Sequence, residues 1–135
     1  LSATWIATGR QPFVNRYAIG HRAEDLAAAY LEREGFRVLW RNIRIGSLEI
    51  DLVAMKDDLV IIVEVRSRSA SAFEGPLASI GWNKRRMLLR AARGLWRGRL
   101  KKVPDVARVR IDVIAITPGT DGPRIEWIRG AMTEE

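Results

Sequence analysis

Cysteine does not occur in this 135-residue sequence, which excludes a disulfide framework and a thiolate metal centre. Its absence is compatible with a reducing cytoplasm, and a cytoplasmic location is the expectation. Histidine occurs once, as His21. A single imidazole cannot assemble a metal site, and with Asp25 one helical turn on, His21 reads as a surface residue with a local partner. No apolar run reaches the length of a membrane span. The opening "LSATWIATGRQPF" has no basic segment leading into an apolar one, so it does not read as a secretory signal. There is no internal repeat, no low-complexity tract, and no P-loop, GxGxxG, HExxH or GxSxG motif. Acid is scarce relative to base: 16 Asp and Glu against 23 Lys and Arg leave a net charge of +7 and a pI near 10.7. That balance points to a polyanionic partner, most simply nucleic acid, with an arginine-rich proteome as the plainer explanation.

The length suits one domain with a core of its own. Residues 1–16 read as a flexible N-terminal arm broken by Pro12, residues 17–130 as the domain, and 131–135 as a short tail. Tyr17 to Glu34 carries an alanine-rich helical pattern, with Gly35 where a helix stop belongs. Phe36 to Ile45 reads as a strand and Gly46-Ser47 as a turn. From Leu48 to Met55 the chain alternates, with Leu48, Ile50, Leu52 and Ala54 on one side and Glu49, Asp51, Val53 and Met55 on the other. "KDD" at 56–58 is a turn, and "LVIIVEVRSR" at 59–68 is a strand whose apolar run predicts burial on both faces. A Ser/Ala/Gly/Pro loop, 67–80, leads to a helix over 81–99. Strands follow at 107–116 and 124–130. The order α-β-β-β-α-β-β predicts an α/β fold, a mixed central sheet flanked by helices.

Several charged residues fall where apolar ones are expected. At about 100° per residue, Glu24 shares a helix face with Ala27, Ala28 and Leu31, while Leu26, Ala29, Tyr30 and Arg33 fall on the other side. A carboxylate there is either part of a site or solvated at the edge of the stripe. Asp51 and Glu64 lie on strands joined by a short turn, so antiparallel pairing can bring them to one face. Paired carboxylates repel unless a cation sits between them, and an all-oxygen donor set suits Mg²⁺ or Mn²⁺. Glu64 and Arg66, two apart, also fit a cross-strand salt-bridge ladder. Lys84 sits on the core side of the second helix, in line with Met87, Leu88, Ala91 and Leu95. Arg86, Arg90, Arg93 and Arg97 form a stripe on the opposite side, either a phosphate-binding surface or a solvated face. The five tryptophans are scattered and read mostly as packing residues.

Taken together, "AIGHRAEDLAAAYLEREGFRVLWRNIR", "GSLEIDLVAM", "LVIIVEVRSR" and "NKRRMLLRAA" resemble the YraN family. That family is placed by resemblance in the PD-(D/E)XK, restriction-endonuclease-like superfamily, near the archaeal Holliday-junction resolvases. The resemblance spans about residues 17 to 130. It implies a restriction-endonuclease-like fold and a Mg²⁺- or Mn²⁺-dependent endonuclease acting on DNA, with branched or structured DNA as the substrate the related resolvases suggest and a homodimer as their assembly. It implies Asp51, Glu64 and Glu24 as metal ligands, Glu24 for a second metal or to orient the water, and Arg66 and Lys84 as the cationic members of the catalytic site. Glu49 matches the Glu of the family's "GEIDL". Two positions depart from the family pattern: Arg66 stands where it generally has Lys, and Ala23 where it usually has Gly. Arginine stays charged, so it cannot serve as a general base, though it can stabilise developing phosphate charge. A second reading is therefore a catalytically impaired nucleic-acid-binding module of the same fold. A third is a protein-interaction adaptor using the 67–80 loop and the 124–130 strand.

Overall fold

The computed structural model describes residues 4–6, 16–69 and 75–132, with backbone alone for 4–6 and 16–21. The side chain of His21, the middle of the 67–80 loop and the end of the C-terminal tail therefore lie outside the described residues. The elements are β1 (Thr4–Ile6), α1 (Arg16–Arg33), β2 (Arg37–Ile45), β3 (Leu48–Lys56), β4 (Leu59–Ser67), α2 (Trp82–Gly98), a 3-10 turn (Leu100–Lys102), β5 (Arg108–Thr117) and β6 (Arg124–Met132).

One six-stranded sheet has the order β1-β6-β5-β4-β3-β2. β4 and β5 run parallel, connected through α2, and the other neighbours are antiparallel. This is the restriction-endonuclease-like α/β layout, a mixed sheet between helices. The predicted elements recur in the predicted order. β1, inside the stretch expected as an arm, adds a three-residue edge strand on β6, and β6 runs on to a buried Met132.

Local chemistry explains the boundaries. α1 closes on Gly35, whose φ of +92° is open to glycine and strained for other residues. The amide of Phe36 donates to Leu31 O at 2.9 Å and that of Gly35 to Glu32 O at 3.1 Å, the paired bonds of a Schellman stop. Lys56 reaches across from β3 to donate to Glu34 O at 2.9 Å. Hairpin turns at Gly46-Ser47 and Asp57-Asp58 join β2, β3 and β4.

The sheet separates two cores. On one face α1 packs Ala23, Ala27, Ala28 and Leu31 against Leu52, Ile61, Val63 and Ile114. On the other, Leu88, Ala91 and Leu95 of α2 pack against Ile50, Val53, Val60 and Ile62. Val60 to Val63 are wholly buried, as a central strand covered on both sides requires.

Two expectations are corrected. Tyr30 does not face outward. From the edge of the buried arc its ring meets Trp127 edge-on at 5.9 Å and is covered. The alternation of β3 does not run through: Leu48 and Ile50 join the α2-side core with Val53 and Met55, while Leu52 and Ala54 join the α1 side. The face changes around Asp51, opposite Asn42, whose φ of +52° marks an irregularity in β2. Of the tryptophans, expected mostly to pack, Trp127 is buried, whereas Trp82 is 80% exposed and Trp96 40%.

Candidate functional site

β3 and β4 pair from Lys56↔Leu59 to Leu52↔Val63, and there the ladder ends. The next residues on the two strands are Asp51 and Glu64. In place of a main-chain carbonyl, the amide of Val65 finds the carboxylate of Asp51, donating to Oδ2 at 2.8 Å. The acid thus fills the parting between the strands and is held by it.

Glu64 follows the alternation of Val60 and Ile62 toward α2 and is only 4% exposed. Lys84, in the first turn of α2 and on the same side as its buried Leu88, brings Nζ to 3.5 Å from Glu64 Oε1. Arg66 approaches the same oxygen at 3.9 Å through Nη1. Its other terminal nitrogen is engaged elsewhere, donating to Ser79 O at 3.2 Å and Ser79 Oγ at 3.4 Å. Ser79 in turn donates to Pro76 O at 2.6 Å. Arg85 completes this support from α2, donating to Ile80 O at 3.1 Å and Leu77 O at 2.7 Å. Two arginines therefore pin residues 76–80 at the rim of the site.

The acids are electrostatically unsatisfied. Burial raises the Asp51 carboxyl from 3.8 to about 7; the nearby charges of Glu64 and Glu24 push the same way, against the Val65 amide and Lys84. Burial also raises Glu64, opposed by Lys84, by Arg66 and by a hydrogen bond with the Asp51 carboxyl. The two carboxyls thus lie close enough for each to act on the other, and a shared proton or a cation between them relieves that repulsion. One oxygen of Glu64 and one of Glu24, both Oε2, are buried without a hydrogen-bond partner. Among the described residues no three acidic or histidine side chains close on one point as a metal cage. The donor set fits a hard divalent cation at the Asp51–Glu64 pair, with Glu24 facing it from α1 through its charge.

A second acid-base pair in the molecule shows what a satisfied one looks like. Asp112, with Arg110 two residues before it, is fully buried on the opposite face of the sheet. It accepts from Arg110 Nε at 2.7 Å and Nη2 at 2.9 Å, from Trp127 Nε1 at 2.9 Å and from the Gly130 amide at 2.9 Å. Every bond the carboxylate needs is made, so this pair is structural. Glu64 and Arg66 have the mirrored spacing and an ion pair at 3.9 Å, but Glu64 Oε2 lacks the closure that Asp112 has.

The other predicted residues lie apart from this pocket. Arg86, Arg90, Arg93 and Arg97 are exposed on the side of α2 away from its buried Leu88, Ala91 and Leu95. Glu49 is exposed and pairs across the ladder with Arg44, and Asp25 forms an ion pair with Arg41 of β2. Sequence reasoning missed Ser79 and Arg85, whose roles run through main-chain carbonyls and leave no pattern. It missed Asp112 too, although a lone acid inside "RVRIDVIAI" was a signal.

Residues 23–116 match the model of "Uncharacterised protein family UPF0102". The chain is 39% identical over 117 residues to a UPF0102 protein of Sorangium cellulosum, covering 86% of this chain and 81% of that one. It is 42% identical over 118 residues to one of Dechloromonas aromatica, covering 87% and 91%. Among solved structures it is similar to SfsA of Pyrococcus furiosus in complex with Ca²⁺, at 17% identity and a TM-score of 0.43, spanning 85% of this chain and 64% of that one. With the family model across most of the domain and relatives of this closeness along nearly their whole length, the chain belongs to the UPF0102, or YraN, family.

Proposed function

We propose that the Asp51–Glu64 pocket is a metal-dependent phosphodiesterase site acting on DNA, branched or otherwise structured, in the manner of the PD-(D/E)XK nucleases. The observation that carries this reading is a buried Glu64 carboxyl with an orphaned oxygen, beside the half-buried Asp51 carboxyl and within 3.5 and 3.9 Å of the Lys84 and Arg66 cations. Asp51 and Glu64 would hold Mg²⁺ or Mn²⁺, and Glu24 would add its negative charge from α1. Bound there, the ion would supply a water of lowered pKa and a Lewis acid for the phosphate. The Val65 amide orients the Asp51 carboxylate, leaving its other oxygen for the ion. Lys84 and Arg66 face the position where a phosphate would gain charge, and both can stabilise it. The net charge of +7 draws the polyanion in.

Cleavage of labelled branched and linear DNA with Mg²⁺ or Mn²⁺ tests this. Asp51→Ala should abolish turnover, and activity that survives it removes the site assignment. A second reading, a binding module without turnover, is favoured by one feature: the Arg66 guanidinium is tied to Ser79 and cannot accept a proton. Arg66→Lys separates the two. Gain of cleavage by about tenfold or more marks a site limited by its arginine, whereas binding without cleavage in both proteins selects the module.

A further inference from the structure

The outer side of α2 carries more than a row of charge. At about 100° per residue, Trp82, Arg86, Arg93 and Arg97 fall within roughly 60° of one another, with Arg90 close beside them. Trp96 borders the same arc. The helix buries Leu88, Ala91 and Leu95 on its opposite side, so this arc faces solvent. Trp82 exposes 80% of its surface and Trp96 40%. A tryptophan in the first position of a helix with four-fifths of its surface in water contributes little to packing. Nine Lys and Arg and no acid occur between Lys84 and Lys102.

Flat aromatic faces interleaved with arginines match the two chemistries of an unpaired polynucleotide, bases that stack and phosphates that repeat between them. In an intact duplex the bases are already stacked on each other, so an exposed indole has nothing to receive. The tryptophans are fourteen residues apart, about 21 Å along the helix at 1.5 Å per residue, a span of a few nucleotides. Trp82 is also two residues from Lys84, which touches Glu64. Lys84 sits on the core side of the helix, so a strand on the outer face would have to pass round the first turn of α2 to reach the acidic pocket.

We infer that the outer face of α2 is a track for single-stranded nucleic acid, on which Trp82 and Trp96 stack unpaired bases and Arg86, Arg90, Arg93 and Arg97 hold phosphates. This deepens the proposed function by naming an unpaired segment as the substrate class, but the binding itself needs neither metal nor turnover.

The test is fluorescence anisotropy of the full chain, in EDTA, with a labelled oligothymidylate of about 15 nucleotides, the matching oligouridylate, and a blunt duplex of the same length. The single strand should bind at least about tenfold tighter than the duplex, with affinity falling steeply with salt. Trp82→Ala should weaken single-strand binding by about five- to a hundredfold and leave the duplex unaffected, while Trp82→Phe keeps most of the affinity. The two oligonucleotides separate a DNA from an RNA source. Equal binding of single strand and duplex, or Trp82→Ala and Trp96→Ala without effect, reduces the face to a phosphate track and overturns the inference. No binding of any probe at low salt overturns it as well, in favour of a protein partner or a solvated surface. Single-strand binding by a wild-type protein that cleaves nothing with Mg²⁺ or Mn²⁺ would remove the nuclease reading alone and leave this inference standing, and Asp51→Ala should still bind the single strand.

Discussion

Asp51 has two tasks that pull against each other. It completes the hydrogen bonding of β4 through Val65, and it does so beside the carboxyl of Glu64. Its pKa, near 7 when folded against 3.8 ordinarily, means that the native state holds a proton that the unfolded chain has given up. The contribution to stability is therefore lost as pH rises from about 4 to 7, and the full penalty is present above that. Asp51→Asn, neutral throughout, should flatten this slope and gain about 1–2 kcal/mol at pH 8 without metal, measured as urea midpoints at pH 5 and pH 8. A loss of stability at pH 8 would contradict the picture. Asp112 predicts the reverse. Asp112→Ala leaves the Arg110 charge, the Trp127 indole and the Gly130 amide without their acceptor, at a cost of about 3–5 kcal/mol with a matching fall in urea midpoint. In the sequence each of these two aspartates is an acid between apolar neighbours of a strand. Partners 14 to 18 residues away, Val65 for the one and Trp127 and Gly130 for the other, distinguish them.

The strands and helices were readable from their patterns: an unbroken apolar run for β4, and a period of about 3.6 for α2 with Leu88, Ala91 and Leu95. The stop of α1 was readable too, because glycine is what a left-handed closing residue calls for. Gly35→Ala should cost about 1–2 kcal/mol in thermal or urea unfolding, since alanine is strained at φ +92° and its Cβ would meet Lys56 Cε at 3.2 Å. A change below a few tenths would mean that the stop relaxes freely. The break in β3 was not readable. Strict alternation puts Leu52 with Leu48 and Ile50, and nothing in composition says that the strand turns over at Asp51. The cause is tertiary: β4 lies alongside only as far as Val63, and past that point β3 follows α2's core instead. Exposure of Trp82 and Trp96 was hidden for a similar reason. Tryptophan is usually covered, and a wheel shows which side of a helix it takes but not whether anything lies there.

Across the molecule, charge and hydrogen bonding are distributed unevenly about one sheet. The α1 face holds a fully satisfied acid at Asp112, the α2 face an unsatisfied one at Glu64, and the outside of α2 a band of arginine. Among the described residues no helix is long and apolar enough to cross a membrane. A divalent ion that binds between Asp51 and Glu64 only in the folded state should stabilise the whole domain by mass action. Millimolar Mg²⁺ or Mn²⁺ is expected to raise the melting temperature by about 5 °C at pH 8 and hardly at pH 5, where protons compete for Asp51. Equal shifts at both pH values, or equal shifts in Asp51→Asn, would place the ion elsewhere. The parting of β3 from β4 also equips the molecule with an internal gauge. The Val65 amide points at a titrating carboxylate, so its proton resonance should move with a midpoint near neutrality and jump again when a cation arrives. One backbone signal in a nitrogen-proton spectrum would thus report the ionic state of the pocket, with no label, no substrate and no assay.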